Sequence, residues 1–196
     1  MSSNKKKFKA VSLKYLDDDT IANIRIWRNQ DFVKTKMYSQ HEISEEEHKN
    51  YIKSIKENPN RGLFVFYLDD QPFGVYQYTI TPEDNSVTGG NYLVDEEYVY
   101  MGYGMIQIYF MGVIKFDVLK CDREYEETLD TNTRILTLAK KMGGKPKLIP
   151  EKRCLLEDGY HDVYKIEGFA SDWEKNKTNY ENVVFKVVEK QFEIIL

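Results

Sequence analysis

From Asp95 to Gly144 the chain runs through a glycine-punctuated turn, an apolar helix, a polar strand and a second capped helix, an order that leaves few folds open. Asp95 to Gly104 leads into the apolar run Met105 to Val118. Gly102 and Gly104 let backbone amides turn inward at a helix start. There the unpaired N–H groups and the positive end of the helix dipole favour a phosphate or pyrophosphate. Arg123 to Leu129 reads as a strand. Asn132 to Gly144 then opens on a capping side chain and closes on the glycine stop at Gly143.

The flanking segments extend this into a mixed sheet. Phe8 to Leu16 alternates apolar and polar residues and reads as a first strand. Asp17 to Thr20 caps a helix carrying Ile21, Ile24, Ile26 and Trp27, and Ser44 to Glu47 forms a capping box for a second helix that ends at Asn58-Pro59-Asn60. Gly62–Leu68 and Phe73–Ile80 flank a turn at Asp69 to Pro72, with a third strand at Asn91–Val94. Lys147–Leu156 and Tyr160–Glu167 straddle Asp158-Gly159, a strong hairpin signal. Strands followed by helix, strand, helix and hairpin predict an α/β (α+β) sheet with helices on both faces. A domain is expected over 1–174. Lys175 to Asn179 reads as a linker, and the Val-, Ile- and Phe-rich stretch to Leu196 as an extension packing on the domain or on a partner subunit. Periodicity leaves an added strand, a packed helix or a dimer contact equally open for it.

Bulk numbers exclude several classes. A net charge of −4 argues against a nucleic-acid binder. Cys121 and Cys154 lack ligand spacing, and His41, His48 and His161 lie far apart, so no metal site is expected. The lysine-rich start has no apolar run behind it and no stretch suits a membrane span, which predicts a cytoplasmic protein.

The Asp95–Gly144 order resembles the GNAT superfamily of acetyl-CoA-dependent N-acetyltransferases, with Gly102 and Gly104 on the glycines of its pyrophosphate motif, Asn132 on its asparagine and Gly143 on its helix-ending glycine. Two positions depart: Val99 replaces an Arg or Gln, and Ala139 replaces the tyrosine that protonates the departing thiolate in many members. The resemblance implies the GNAT fold, a mostly antiparallel sheet of about seven strands, and direct attack by an amine on the thioester. It places the pantetheine along Leu93 and Val94. The pyrophosphate falls on the amides of Val99, Tyr100, Met101, Gly102, Tyr103 and Gly104, and the pantetheine arm on Asn132.

Trp27-Arg28-Asn29, then Met37-Tyr38, then Ile43-Ser44 and Glu46-Glu47-His48 resemble the branch that acetylates amines of nucleotide-linked sugars, as in the pseudaminic-acid pathway. Glu157 to Tyr164 is shared with ribosomal-protein acetyltransferases. The first resemblance implies a UDP-linked 4-amino-4,6-dideoxy sugar as acceptor, with Arg28 and His48 meeting the nucleotide and Met37, Tyr38 and Tyr51 lining the pocket. Each has a structural alternative: Arg28 paired with a carboxylate, His48 on a helix face, the tyrosines in the core. Period-two alternation puts Tyr125 and Glu127 on one face of their strand and Glu124 and Glu126 on the other. The branch implies Glu127 as the carboxylate that receives the amine's proton. A protein N-terminal or aminoglycoside acetyltransferase, or a non-catalytic acyl-CoA-binding protein, are the other readings, and a homodimer is left open.

Overall fold

The computed structural model describes residues 5–141 and 145–196. Gly143 and Gly144, read as a helix stop, and the first four residues of the lysine-rich start lie outside the described residues. Among the described residues eight strands form one sheet: β1 Lys6–Ser12, β2 Arg61–Leu68, β3 Gln71–Thr81, β4 Ser86–Leu93, β5 Arg123–Leu129, β6 Lys147–Leu156, β7 Gly159–Phe169 and β8 Val188–Ile195. Their order is β6-β7-β5-β4-β3-β2-β1-β8. All neighbours are antiparallel except β4 with β5 and β1 with β8.

Central β2 is buried from both sides, because its apolar residues run continuously rather than alternating with polar ones. Leu63 and Val65 pack under α1 (Asp18–Asn29) and α3 (Glu45–Lys56) with Ile24, Ile52 and Ile55. Phe64, Phe66 and Leu68 point to the opposite face, against Ile106, Phe110 and Ile114. A short helix α2 (Asp31–Lys34) follows α1, and α4 (Glu96–Tyr100) fills part of the segment read as a turn. Ile106, Phe110 and Ile114 belong to α5 (Tyr103–Gly112) and its wider π-helical continuation Val113–Val118, whose Leu119 N–H bonds back five residues to Ile114 at 2.8 Å. A helix apolar all round must be covered all round. Here α7 (Ala170–Val184) supplies the cover, with Trp173 against Tyr109 and Phe116.

Local signals act as read at both N-terminal helices. The Asp17 side chain accepts from Thr20 N–H at 2.7 Å, and both halves of the Ser44–Glu47 capping box are formed. Asp69 and Asp70 turn the β2–β3 hairpin with φ of 50° and 62°, the left-handed pair that two-residue hairpins need. Three boundaries differ. β1 stops at Ser12 and passes into a 3₁₀ turn, Leu13–Tyr15, and β4 starts at Ser86 rather than at 91. Lys175 to Asn179, read as a linker, lies inside α7, because Trp173, Tyr180 and Val184 anchor a polar stretch between them. The tail forms β8, parallel to β1, an eighth strand where about seven were expected.

Candidate active site

β4 and β5 pair only at Ser86↔Arg123 and Val87↔Glu124, then diverge. The gap opens into a cleft of about 780 Å³ walled by Gly89–Leu93 of β4, Glu126–Thr128 of β5, the Gly102–Gly104 turn, and α6 (Thr133–Lys141). Gln107, buried beneath it, donates to the carbonyls of Val75 and Tyr92, both at 3.1 Å. A Cβ at Gly74 would come within 2.6 Å of that amide, so the glycine makes room for the brace.

Antiparallel pairing fixes which β4 amides face the cleft. Val94 N–H donates to Phe73 O at 3.1 Å, so even-numbered β4 residues turn their polar groups to β3 and odd ones turn outward. Asn91 and Leu93 therefore present their N–H groups to the gap. Val94, expected beside them, does not: its N–H is spent on Phe73, its carbonyl accepts from Gln30 at 2.9 Å, and its side chain is buried under α1 and α3.

At the glycine end, Gly102 adopts φ +81° as the residue preceding α5, a conformation that costs other residues strain. The first-turn N–H groups at Tyr103 and Gly104 have no earlier turn to bond. Val99, Gly102, Gly104 and Asn132 line the cleft. Tyr103 turns its ring away to stack on Tyr98 at 4.9 Å, and Tyr100 and Met101 are exposed side chains outside the lining. Asn132 precedes α6, its carbonyl accepting from Leu136 N–H at 3.2 Å. Ala139 lines a second cavity of about 370 Å³ behind the first, not the main cleft. Arg134, to which the sequence reading gave no role, lines the cleft and donates through Nη2 to the Val99 carbonyl.

At the opposite end the structure joins residues far apart in sequence. Tyr38 Oη donates to Glu127 Oε2 at 2.9 Å, and Lys152 of β6 pairs with the same oxygen. Burial first, then the Glu127 hydrogen bond, raises the Tyr38 pKa, so the phenol keeps its proton. Met37 and Lys36 line the cleft beside them. The two faces of β5 separate as alternation requires. Glu124 and Glu126 meet buried Lys115 of the π-helical turn, the latter at 3.3 Å, while Glu127 faces Tyr38.

Three expected substrate residues stand elsewhere. His48 is buried between α3 and α1 and donates Nε2–H to Ile21 O at 2.8 Å; burial lowers its pKa, so the neutral ring serves as a strut. Tyr51 packs into the α1/α3 core beneath Arg61. Arg28 lies outside the cleft lining and donates Nη2 to Ser39 O at 2.8 Å. Its neighbour Asn29 brackets Ile43, donating to its carbonyl and accepting from its N–H, each at 2.9 Å. Both residues fix the 35–44 loop, which carries Met37 and Tyr38 to the cleft. A polar residue next to a helix end gives no hint in sequence whether it faces a ligand or its own loop.

No protein-family model and no curated protein matches the chain. Solved structures do. A spermidine N-acetyltransferase from Vibrio cholerae, in complex with CoA and spermine, superposes with TM-score 0.75 at 14% identity over 86% of this chain and 98% of that one. The Campylobacter jejuni N-acetyltransferase PseH, in complex with acetyl coenzyme A, gives 0.61 at 19% identity over 83% and 98%. An uncharacterized protein from Bacillus halodurans gives 0.67 at 15% over 87% and 89%. The chain has the GNAT fold.

Proposed function

We propose that the protein is an acetyl-CoA-dependent N-acetyltransferase acting on the amine of a nucleotide-linked amino sugar. The observation that carries the transferase reading is the continuous cleft from the Gly102–Gly104 amides, along the outward N–H groups of Leu93 and Asn91, to Glu127. Its first part suits a pyrophosphate and its middle an extended amide chain ending in a thioester carbonyl, which such donors polarise. Glu127 Oε2 is held by Tyr38 and Lys152, which leaves Oε1 to take a proton from the amine as nitrogen attacks the carbonyl carbon and the C–S bond breaks. The thiolate then takes a proton from solvent.

The acceptor assignment rests on charge. Glu127 pairs with Lys152, Glu126 shares Lys115 with Glu124, and Lys36 adds a further cation, so the β5 carboxylates are balanced by lysines. An acceptor mouth so compensated suits an anionic diphosphate better than a polycation. Arg28 acts here through the 35–44 loop. The likeness to the spermidine enzyme favours a second reading, in which the acceptor is a polyamine. Release of CoA from acetyl-CoA, measured with a UDP-linked 4-amino-4,6-dideoxy sugar and with spermidine side by side, separates them. Turnover with spermidine alone overturns the sugar reading, and turnover with no amine from either class overturns the acceptor assignment altogether.

A further inference from the structure

We infer that Arg134 supplies the side-chain cation that position 99 lacks at the pyrophosphate end of the cleft, an inference that rests on the acetyl-CoA reading. Val99 brings no charge to the glycine turn, yet a guanidinium reaches this place from another element. α6 begins at Thr133, so Arg134 sits in its first turn, beside the cleft-lining residues Asn132 and Thr133. Its Nη2 is anchored on the Val99 carbonyl near the end of α4, and its guanidinium carbon lies 5.8 Å from the centre of the Tyr100 ring. These two contacts hold the planar group at the residues where a side chain from position 99 would start.

One arm of the fork is used in this anchoring. Among the described residues, Nε and Nη1 have no hydrogen-bond partner and Nη2 keeps a second N–H, which together with the N–H of one neighbouring nitrogen forms an intact edge of the planar group that can grip two phosphate oxygens at once. The electrostatic need is local. The amides of Tyr103 and Gly104 carry only partial charges, and Glu96, one turn before Val99 on α4, lines the same cleft with a full negative charge. A cation is required there to offset Glu96 before a dianionic group can settle. Arg134 lines this end of the cleft and meets that need.

The test is calorimetric titration of CoA into the full-length wild type, Arg134→Gln, Val99→Arg and the Val99→Arg/Arg134→Gln double variant, with thermal melts to confirm that each is folded. Loss of a charged hydrogen-bond pair predicts CoA binding weaker by about 10- to 100-fold in Arg134→Gln. The double variant should recover most of that loss, because charge is returned to the same place from the other element. Unchanged CoA affinity in Arg134→Gln overturns the inference. So does a loss that Val99→Arg fails to restore, which would make Arg134 a mere support for the Val99 carbonyl. Absence of CoA binding by the wild type would instead overturn the cofactor reading on which the inference stands.

Discussion

The two ends of the cleft are built by opposite means. At the end proposed for the cofactor the groups on offer are chiefly backbone amides, oriented by one glycine in a left-handed conformation and by the pairing of β4 with β3. At the end proposed for the acceptor they are side chains drawn from three separate segments, with Tyr38, Glu127 and Lys152 meeting on one carboxylate oxygen. A backbone site depends on local conformation, and a side chain it lacks can be supplied from another element, as we infer for Arg134 beside Val99. A side-chain site depends on how well each contributing segment is held, and here Arg28 and Asn29 hold the loop that brings Tyr38.

The contrast is broken most directly at Glu127. Glu127→Gln should cut turnover by about 100-fold through loss of the general base while acetyl-CoA affinity stays the same. Steady-state kinetics with a calorimetric Kd checks both, and a parallel fall in cofactor affinity would erase the distinction between the ends. Gly102→Val tests the other side. Nothing lies within 4 Å of a Cβ at Gly102, so the cost is the strain of φ +81° alone. A penalty of about 1–2 kcal/mol predicts roughly 5- to 30-fold weaker acetyl-CoA binding, read by the same calorimetry with acceptor KM unaffected.

Asn29→Ala sharpens the role of the loop. Two hydrogen bonds to Ile43 are lost, each worth about 0.5–1.5 kcal/mol, so chemical denaturation should show lower stability. Acceptor KM should rise a few-fold while acetyl-CoA KM does not move. An unchanged acceptor KM would separate the loop from the acceptor site.

The smallest effect concerns the capping box beneath that loop. Ser44 N–H first, then the Ser44 hydroxyl and His41, push the Glu47 pKa down to about 2 from an ordinary 4.5. A depressed carboxylate stabilises the fold above its unfolded pKa and loses that contribution as the folded state takes up its proton. Melting temperature should therefore fall between pH 4.5 and pH 2, and part of that slope should vanish in Glu47→Gln. An identical slope in the variant would place the acid sensitivity in other carboxylates.

How much was legible follows the same division. Capping at Asp17 and Ser44, the β2–β3 hairpin, β5 and the glycine turn could all be read because their causes lie within a few residues of chain. The tail was half legible: Lys175 to Asn179 carries the composition of a linker, and only packing against Trp173 and Tyr180 makes it helix. Arg28 and His48 show the limit from the other side. Their types suit a nucleotide, but in the structure His48 bonds the Ile21 carbonyl and Arg28 Nη2 the Ser39 carbonyl, while Arg28 Nη1 is left buried without a hydrogen-bond partner among the described residues.

By itself the sequence determined the order of the strands from β1 to β7 and of the longer helices α1, α3, α5 and α6 between them, the faces of β5 and the backbone geometry at Gly102, since each depends on the period of a strand or helix or on the φ range of one residue type. The tertiary structure alone decided which side chains share the cleft. Tyr38 meets Glu127 across 89 positions of chain and Arg134 reaches Val99 across 35. Such contacts follow from where the sheet splays and how the loops are tied, and neither leaves a periodic trace in the residues that make them.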